Sequence, residues 1–257
     1  YKQTHFVERT AHPVRQNFRT LASVFKKEGG VANRKGIILF LISFFLYIDG
    51  VYTVIDMATS FGTALGLESS GLLIALLITQ VVAFPSAIVF GKLAGKVKNE
   101  LLITISICAY TFVGAFAIFM QSMWQFWVLA VMVGLFQGGI QALSRSYFTK
   151  IIPAKHSGTL FGIMDIFGKG AAFLGTMLVS IVTQLTDSVN LGAIPIVCLF
   201  VAGLVMFIVT ARYNKPFIAQ SQAEEADAEA QDVVQENAGE VAENGGVKDV
   251  TDSSAAN

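Results

Sequence analysis

Residues 160–185 read LFGIMDIFGKGAAFLGTMLVSIVTQL. The run contains no proline, and a helix of about 20 apolar residues is long enough to cross the hydrocarbon core of a bilayer. Only Asp165 and Lys169 interrupt it. Five further stretches have the same character: Ile37–Leu65, Ser69–Phe90, Leu101–Met120, Trp124–Leu143 and Leu191–Ala211. None alternates apolar and polar residues as a transmembrane strand does. An irregular chain in lipid would leave its backbone groups unsatisfied. The sequence therefore predicts an all-α membrane protein, with a six-helix transmembrane domain over residues 37–212.

Composition agrees. The 257 residues are 54% hydrophobic and 14% charged, with mean hydropathy +0.61. A soluble domain carries about a quarter charged residues. The net charge of zero hides a segregation: residues 218–257 hold ten of the 18 acidic side chains and one of the 18 basic ones. That acidic stretch, within residues 213–257, is rich in Ala, Glu, Asp, Gln and Gly. Its composition predicts a disordered cytoplasmic tail, because it has too little apolar surface to bury. Cys108 and Cys198 lie far apart in apolar runs and suggest neither a disulfide nor a metal site. The chain begins at Tyr1 with no signal peptide, and the expectation is a piece of a longer protein.

The basic residues set an orientation. Loops 66–68, 121–123 and 186–190 contain no Lys or Arg, whereas residues 1–36 hold eight. Lys92, Lys96, Lys98, Arg145, Lys150, Lys155, Arg212 and Lys215 fall on the same side as those eight. By the positive-inside rule both ends are cytoplasmic. The segment 1–36 reads as a basic linker. Within it, Val14, Phe18, Leu21 and Phe25 recur at helical spacing among Arg15, Arg19, Lys26 and Lys27. This fits an amphipathic helix on the membrane surface or a linker helix packed on protein.

Polar side chains are unevenly shared. The third and sixth spans carry no charged or amide side chain and are expected at the lipid periphery. The first has Asp49, Tyr52 and Asp56 on one face, and the second Thr79, Gln80 and Pro85. The fourth has Gln137, Gln141 and Arg145, and the fifth Asp165 and Lys169. A charge in lipid costs about 2.5–3.5 kcal/mol on insertion scales, so these residues are expected to face protein or a watered cavity. Asp49 and Lys169 both fall near the midplane and are expected to share such a cavity. Asp165 precedes Lys169 by four residues, the order that favours an intrahelical ion pair. The pair either neutralises itself or contacts a substrate carboxylate or coupling proton. Asp49, Tyr52, Gln80, Gln137, Gln141, Asp165 and Lys169 are thus the candidate binding or coupling residues, and Arg145 and Lys92 the candidate gating residues. The glutamines also suit interhelical hydrogen bonds. Gly91–Gly95, Gly134–Gly138 and Gly158–Gly162 are G-x-x-x-G pairs, and Gly168, Ala171, Ala172 and Gly175 continue a small-residue face.

These features resemble the C-terminal half of a major facilitator transporter, in which the third and sixth helices of each half are peripheral. GKLAGKVKNE, Gly91–Glu100, is similar to the signature after the second helix of such a half. It departs at Gly95, Lys98 and Glu100. FFLYIDGVYTVI (Phe44–Ile55), GGIQALSRSYFTKIIP (Gly138–Pro153) and LFGIMDIFGKGAAFLG (Leu160–Gly175) are more specific. They resemble the vacuole-effluxer-like branch, which includes autophagy-related vacuolar amino-acid exporters of fungi and many bacterial members. The resemblance implies Asp49, Gln141, Ser144, Arg145, Ser146 and Lys169 as patterned polar positions. It also implies a secondary transporter of small polar solutes, amino acids among them. Its partners would be a second six-helix half upstream, a small-molecule substrate and the bilayer, in a bacterial plasma membrane. The alternative is a channel or structural subunit without a transport cycle. An enzyme, a cofactor and a nucleic-acid partner are not expected: His5, His12 and His156 lie outside the spans, and no H-E-x-x-H, G-x-S-x-G or phosphate loop is present.

Overall fold

The computed structural model describes residues 33–153 and 157–246, with side chains up to 221 and at 223. The 1–32 part of the basic linker, with its amphipathic pattern, lies outside the described residues, as does His156. Among the described residues, six helices are long and apolar enough to cross a membrane. They are α1 (Arg34–Ala64), α2 (Ser69–Ala94), α3 (Asn99–Ala117), α4 (Met123–Ile151), α5 (Ser157–Thr186) and α6 (Ile194–Gly246), with a 3-10 turn at Leu191–Ala193 before α6.

Local chemistry sets the turns. Leu65 closes α1 by donating to the Phe61 carbonyl, and Gly66 then takes φ +76°, a conformation that glycine adopts without steric cost. At the start of α4, the Gln125 side chain accepts from the Ser122 N–H at 3.1 Å and from the Gln121 N–H at 2.8 Å, satisfying donors that the helix leaves free.

The chain divides into two units, residues 1–214 and 215–257. In the first, α1 is the most buried helix. It packs on α5 and also touches α2, α3 and α4, while α4 packs on both α2 and α3. The α2–α4 seam is closed by small residues. Gly134 lies against the Thr79 carbonyl, Gly138 against Ala87 and Gly139 against the Phe90 ring. Hydroxyls cross the same seam: Thr79 Oγ1 donates to Ala130 O at 3.2 Å, and Ser86 Oγ donates to Leu135 O. Such side-chain bonds contribute roughly 0.6 kcal/mol each in membrane proteins. Where α6 meets α1, Gly203 lies against the Tyr47 backbone and Gly50 against Phe200. Gly168, Ala171 and Gly175 turn towards α1 or are buried, as their spacing suggested. Gly91, Gly158 and Gly162 meet nothing within 4 Å among the described residues, so their G-x-x-x-G pairs close no seam here.

In the second unit, composition had predicted disorder, yet the backbone of α6 stays helical to Gly246. Ala, Glu and Gln lose little on entering a helix, so the segment can be helical without burying a core.

Candidate functional site

The fifth span's charges do not pair with each other. Asp165 instead accepts a charge-assisted hydrogen bond from Arg145 Nη2 on α4 at 2.8 Å, the one salt bridge among the described residues. A guanidinium on a long side chain reaches across to the neighbouring helix, and Arg145 would otherwise need its own partner near lipid. Lys169 is left exposed one turn along α5. Gln141 is half-buried one turn from Arg145 on α4, and Tyr52 on α1 lies within electrostatic reach of both Arg145 and Asp165. Tyr52, Gln141, Arg145, Asp165 and Lys169 therefore make a polar strip on three helices. Lys92 is exposed in the last turn of α2 and has no ion pair among the described residues.

Asp49 does not join that strip. It is fully buried between α1 and α5, where its Oδ1 accepts the Gly175 N–H at 3.1 Å. Among the described residues Asp49 and Lys169 line no common cavity. Asp49 points into the α1–α5 seam, while Lys169, six residues before Gly175, turns away from it. Asp56, on the same face by spacing, is exposed.

A cavity of about 360 Å³ does lie inside the half, towards the end without basic loops. Gln80 and Thr79 line it, but so do Val113, Gly114 and Ala117 of α3 and Ile196 of α6. The third and sixth helices are therefore not wholly peripheral. Leu101, Ile105 and Phe112 of α3 and Val201 and Val205 of α6 are exposed, yet the opposite sides of both helices close the interior. Among the described residues, Gln80, Gln137 and Gln141 make no side-chain hydrogen bonds, and Gln137 Oε1 is buried without a partner. Hydroxyls take the interhelical role instead, since a hydroxyl can bond a backbone carbonyl where two helices approach closely.

Several polar contacts near the basic end were not anticipated from sequence. Tyr47 OH and Ser144 Oγ are 2.6 Å apart, joining α1 to α4. Asn99 Nδ2 donates to Ser146 Oγ at 2.8 Å, joining α3 to α4. Asn33 Nδ2 donates to Asn214 Oδ1 at 2.7 Å, joining the start of α1 to α6. Phe40, Phe44, Tyr47, Tyr147, Phe148 and Phe207 pack around these contacts. Ser144 and Ser146 stood in a patterned stretch. Asn33 and Asn214 lay just outside the predicted spans, where amides are read as loop residues.

A bundle with α1 at its centre, α2 and α5 least covered and one polar strip defines an integral membrane protein built as a six-helix half of a major facilitator fold. Residues 5–215 match the family described as "Vacuole effluxer Atg22 like". The chain is 39% identical over 220 residues, 86% of its length, to the "Uncharacterized MFS-type transporter YxiO" of Bacillus subtilis. It is 30% identical over 168 residues, 61% of its length, to "Autophagy-related protein 22" of Saccharomyces cerevisiae, and 24% identical over 185 residues, 67% of its length, to that of Vanderwaltozyma polyspora. These alignments cover 51%, 32% and 36% of the relatives, so the chain spans between about a third and about half of their length. The chain belongs to the Atg22-like vacuole effluxer family.

Proposed function

We propose that the chain is the C-terminal half of a secondary transporter that moves small polar solutes, amino acids among them, by alternating access. The observation that carries this reading is the polar strip of Tyr52, Gln141, Arg145, Asp165 and Lys169, left uncovered on a half-length chain. Charges are costly against lipid, and in this class of fold substrate sites lie between two repeats near the midplane. A second six-helix half would cover the strip and leave water between them. The positions of Asp165 and Lys169 suit a zwitterion, since Cβ atoms four residues apart on a helix are about 5–6 Å apart. The substrate ammonium would compete with Arg145 for Asp165, and its carboxylate would take Lys169. Arg145, released, would then be free to move with the change of access.

The basic loops support a reading in which both ends of the six-helix domain are cytoplasmic, by the positive-inside rule. The Bacillus relative favours a bacterial plasma membrane. Residues 1–36 would then be a basic segment at the inner membrane surface, and 213–257 an acidic cytoplasmic extension. Uptake of labelled amino acids into vesicles carrying the full-length protein tests the reading. Saturable uptake, with exchange against unlabelled substrate, is expected. A conductance that does not saturate, or no movement of any amino acid, would overturn it.

A further inference from the structure

Two polar atoms inside the α1–α5 seam have no partner among the described residues. Asp49 Oδ2 and Thr53 Oγ1 are both buried without a hydrogen bond, on side chains that are fully buried and one helical turn apart. Both converge on Gly175. A methyl group added there would touch Thr53 Oγ1 and lie 3.2 Å from Asp49 Oδ2. No ion pair neutralises the carboxyl among the described residues. On α5, Asp165 and Lys169 lie ten and six residues from Gly175, about 15 and 9 Å along the helix. On α4, Arg145 is engaged with Asp165, and Ser144, next to it, meets Tyr47 rather than Asp49. On α3, Tyr110 OH donates to Val133 O at 3.4 Å. On α6, Phe200 is the side chain that meets neighbouring Gly50. On α1 itself, Tyr52, three residues on, is half-buried, and Asp56, seven residues on, is exposed.

We propose that Asp49 is a proton-binding site enclosed within this half, and that the interior cavity is the route by which the proton enters and leaves. A bare carboxylate without a cation is expensive in so dry a place, and the neutral acid is not. The neutral acid's O–H needs an acceptor, and Thr53 Oγ1, the other orphaned atom beside Gly175, is the one at hand. A metal cation would need several more oxygens, and among the described residues no cluster of three or more His, Cys, Asp or Glu side chains exists. A solute does not fit, because Gly175 closes the seam.

The cavity ends beside this pair: Thr53 is among its lining residues, although its hydroxyl is buried, and Asp49 is not. Thr53 is its deepest residue on α1, eleven residues from the helix end at Ala64, or about 16 Å. Ser60, Thr79, Gln80, Ser180, Thr183 and Gln184 supply polar groups along its mostly apolar wall. Its volume admits several waters. The closed seam keeps water off Thr53 Oγ1; when it parts, a hydronium from the cavity gives its proton to Thr53 Oγ1 as the hydroxyl's own proton passes to Asp49 Oδ2. The hydronium loses one O–H bond, Thr53 Oγ1 gains one and loses one, and Asp49 Oδ2 gains one; release runs in reverse. Only the use made of the proton rests on the transport reading.

The test is infrared spectroscopy of the full-length protein in lipid, with isotope-labelled aspartate marking the aspartyl bands. A protonated carboxyl stretch is expected that vanishes in Asp49→Asn and shifts in heavy water. Thr53→Val should slow that shift at least tenfold. A band unchanged in Asp49→Asn, an aspartate spectrum showing only ionised carboxylates, or exchange indifferent to Thr53→Val would each overturn the proposal. Isotope labelling reads the protonation state in the wild type even if Asp49→Asn does not fold. Because no substrate is added, absence of transport with the band present would count against the transport reading alone.

Discussion

Replacing Gly175 by alanine is expected to destabilise the six-helix domain by about 1–3 kcal/mol, the range for overpacking a closed interior. The added methyl would touch Thr53 Oγ1, lie 3.0 Å from the Thr53 Cβ and 3.2 Å from Asp49 Oδ2. These neighbours cannot yield cheaply. Thr53 is β-branched, and its rotamer is restricted in a helix. Asp49 is held by the Gly175 N–H itself. Relief therefore requires α1 and α5 to separate, which breaks the bond to Asp49 and leaves its carboxyl wholly unsatisfied. Gly162→Ala and Gly170→Ala are the controls, since nothing lies within 4 Å of either position among the described residues. Alanine gains roughly 0.5–1 kcal/mol over glycine within a helix, so the controls should be neutral or slightly stabilising. Thermal unfolding of the purified full-length protein checks this. Equal midpoints for Gly175→Ala and the controls would show that the seam is loose.

Lys169→Met is expected to leave the protein inserted and folded but to lower kcat/KM for transport roughly 10- to 100-fold, the worth of one charge-assisted hydrogen bond. Insertion survives because an apolar side chain is cheaper in a bilayer than an ammonium. The fold survives because Lys169 is exposed and forms no ion pair among the described residues. Transport falls because, on the reading proposed here, Lys169 is the cation that meets the substrate carboxylate. Asp165→Asn should act differently. It strips Arg145 of its 2.8 Å partner, so its effect should include a weakened hold between α4 and α5. Initial-rate uptake over a range of substrate concentrations separates the two variants. Wild-type kinetics in Lys169→Met would remove Lys169 from the site.

The six spans were legible because lipid imposes one constraint on every residue of a run: it must be apolar or find a partner. Their ends were less so. Trp124–Leu143 stopped eight residues short of the end of α4 at Ile151, because the apolar run ends at Leu143 while the helix continues through Arg145. Membrane thickness sets where apolar residues stop, not where a helix does. At the candidate site, the residue types and the helices that carry them could be read, but the partners could not. Spacing put Asp165 opposite Lys169, whereas the longer reach of Arg145 from another helix took the carboxylate. Hydropathy marked Asp49 as exceptional, yet the direction it faces depends on how α1 and α5 cross. For the same reason, spacing could not tell Gly175, which is indispensable to a seam, from Gly170, which touches nothing within 4 Å.

The strip from Gln141 to Lys169 is expected to face water between two halves, while the outer sides of α3 and α6 are expected to face lipid. Labelling with a membrane-impermeant maleimide tests it most directly, in full-length protein whose exposed Cys108 and Cys198 have been replaced. Single cysteines at Gln141 and Lys169 are predicted to react, while those at Phe112 and Val205, exposed on α3 and α6, are predicted to stay unlabelled. Reaction at Phe112 and Val205 with none at Gln141 and Lys169 would contradict the account.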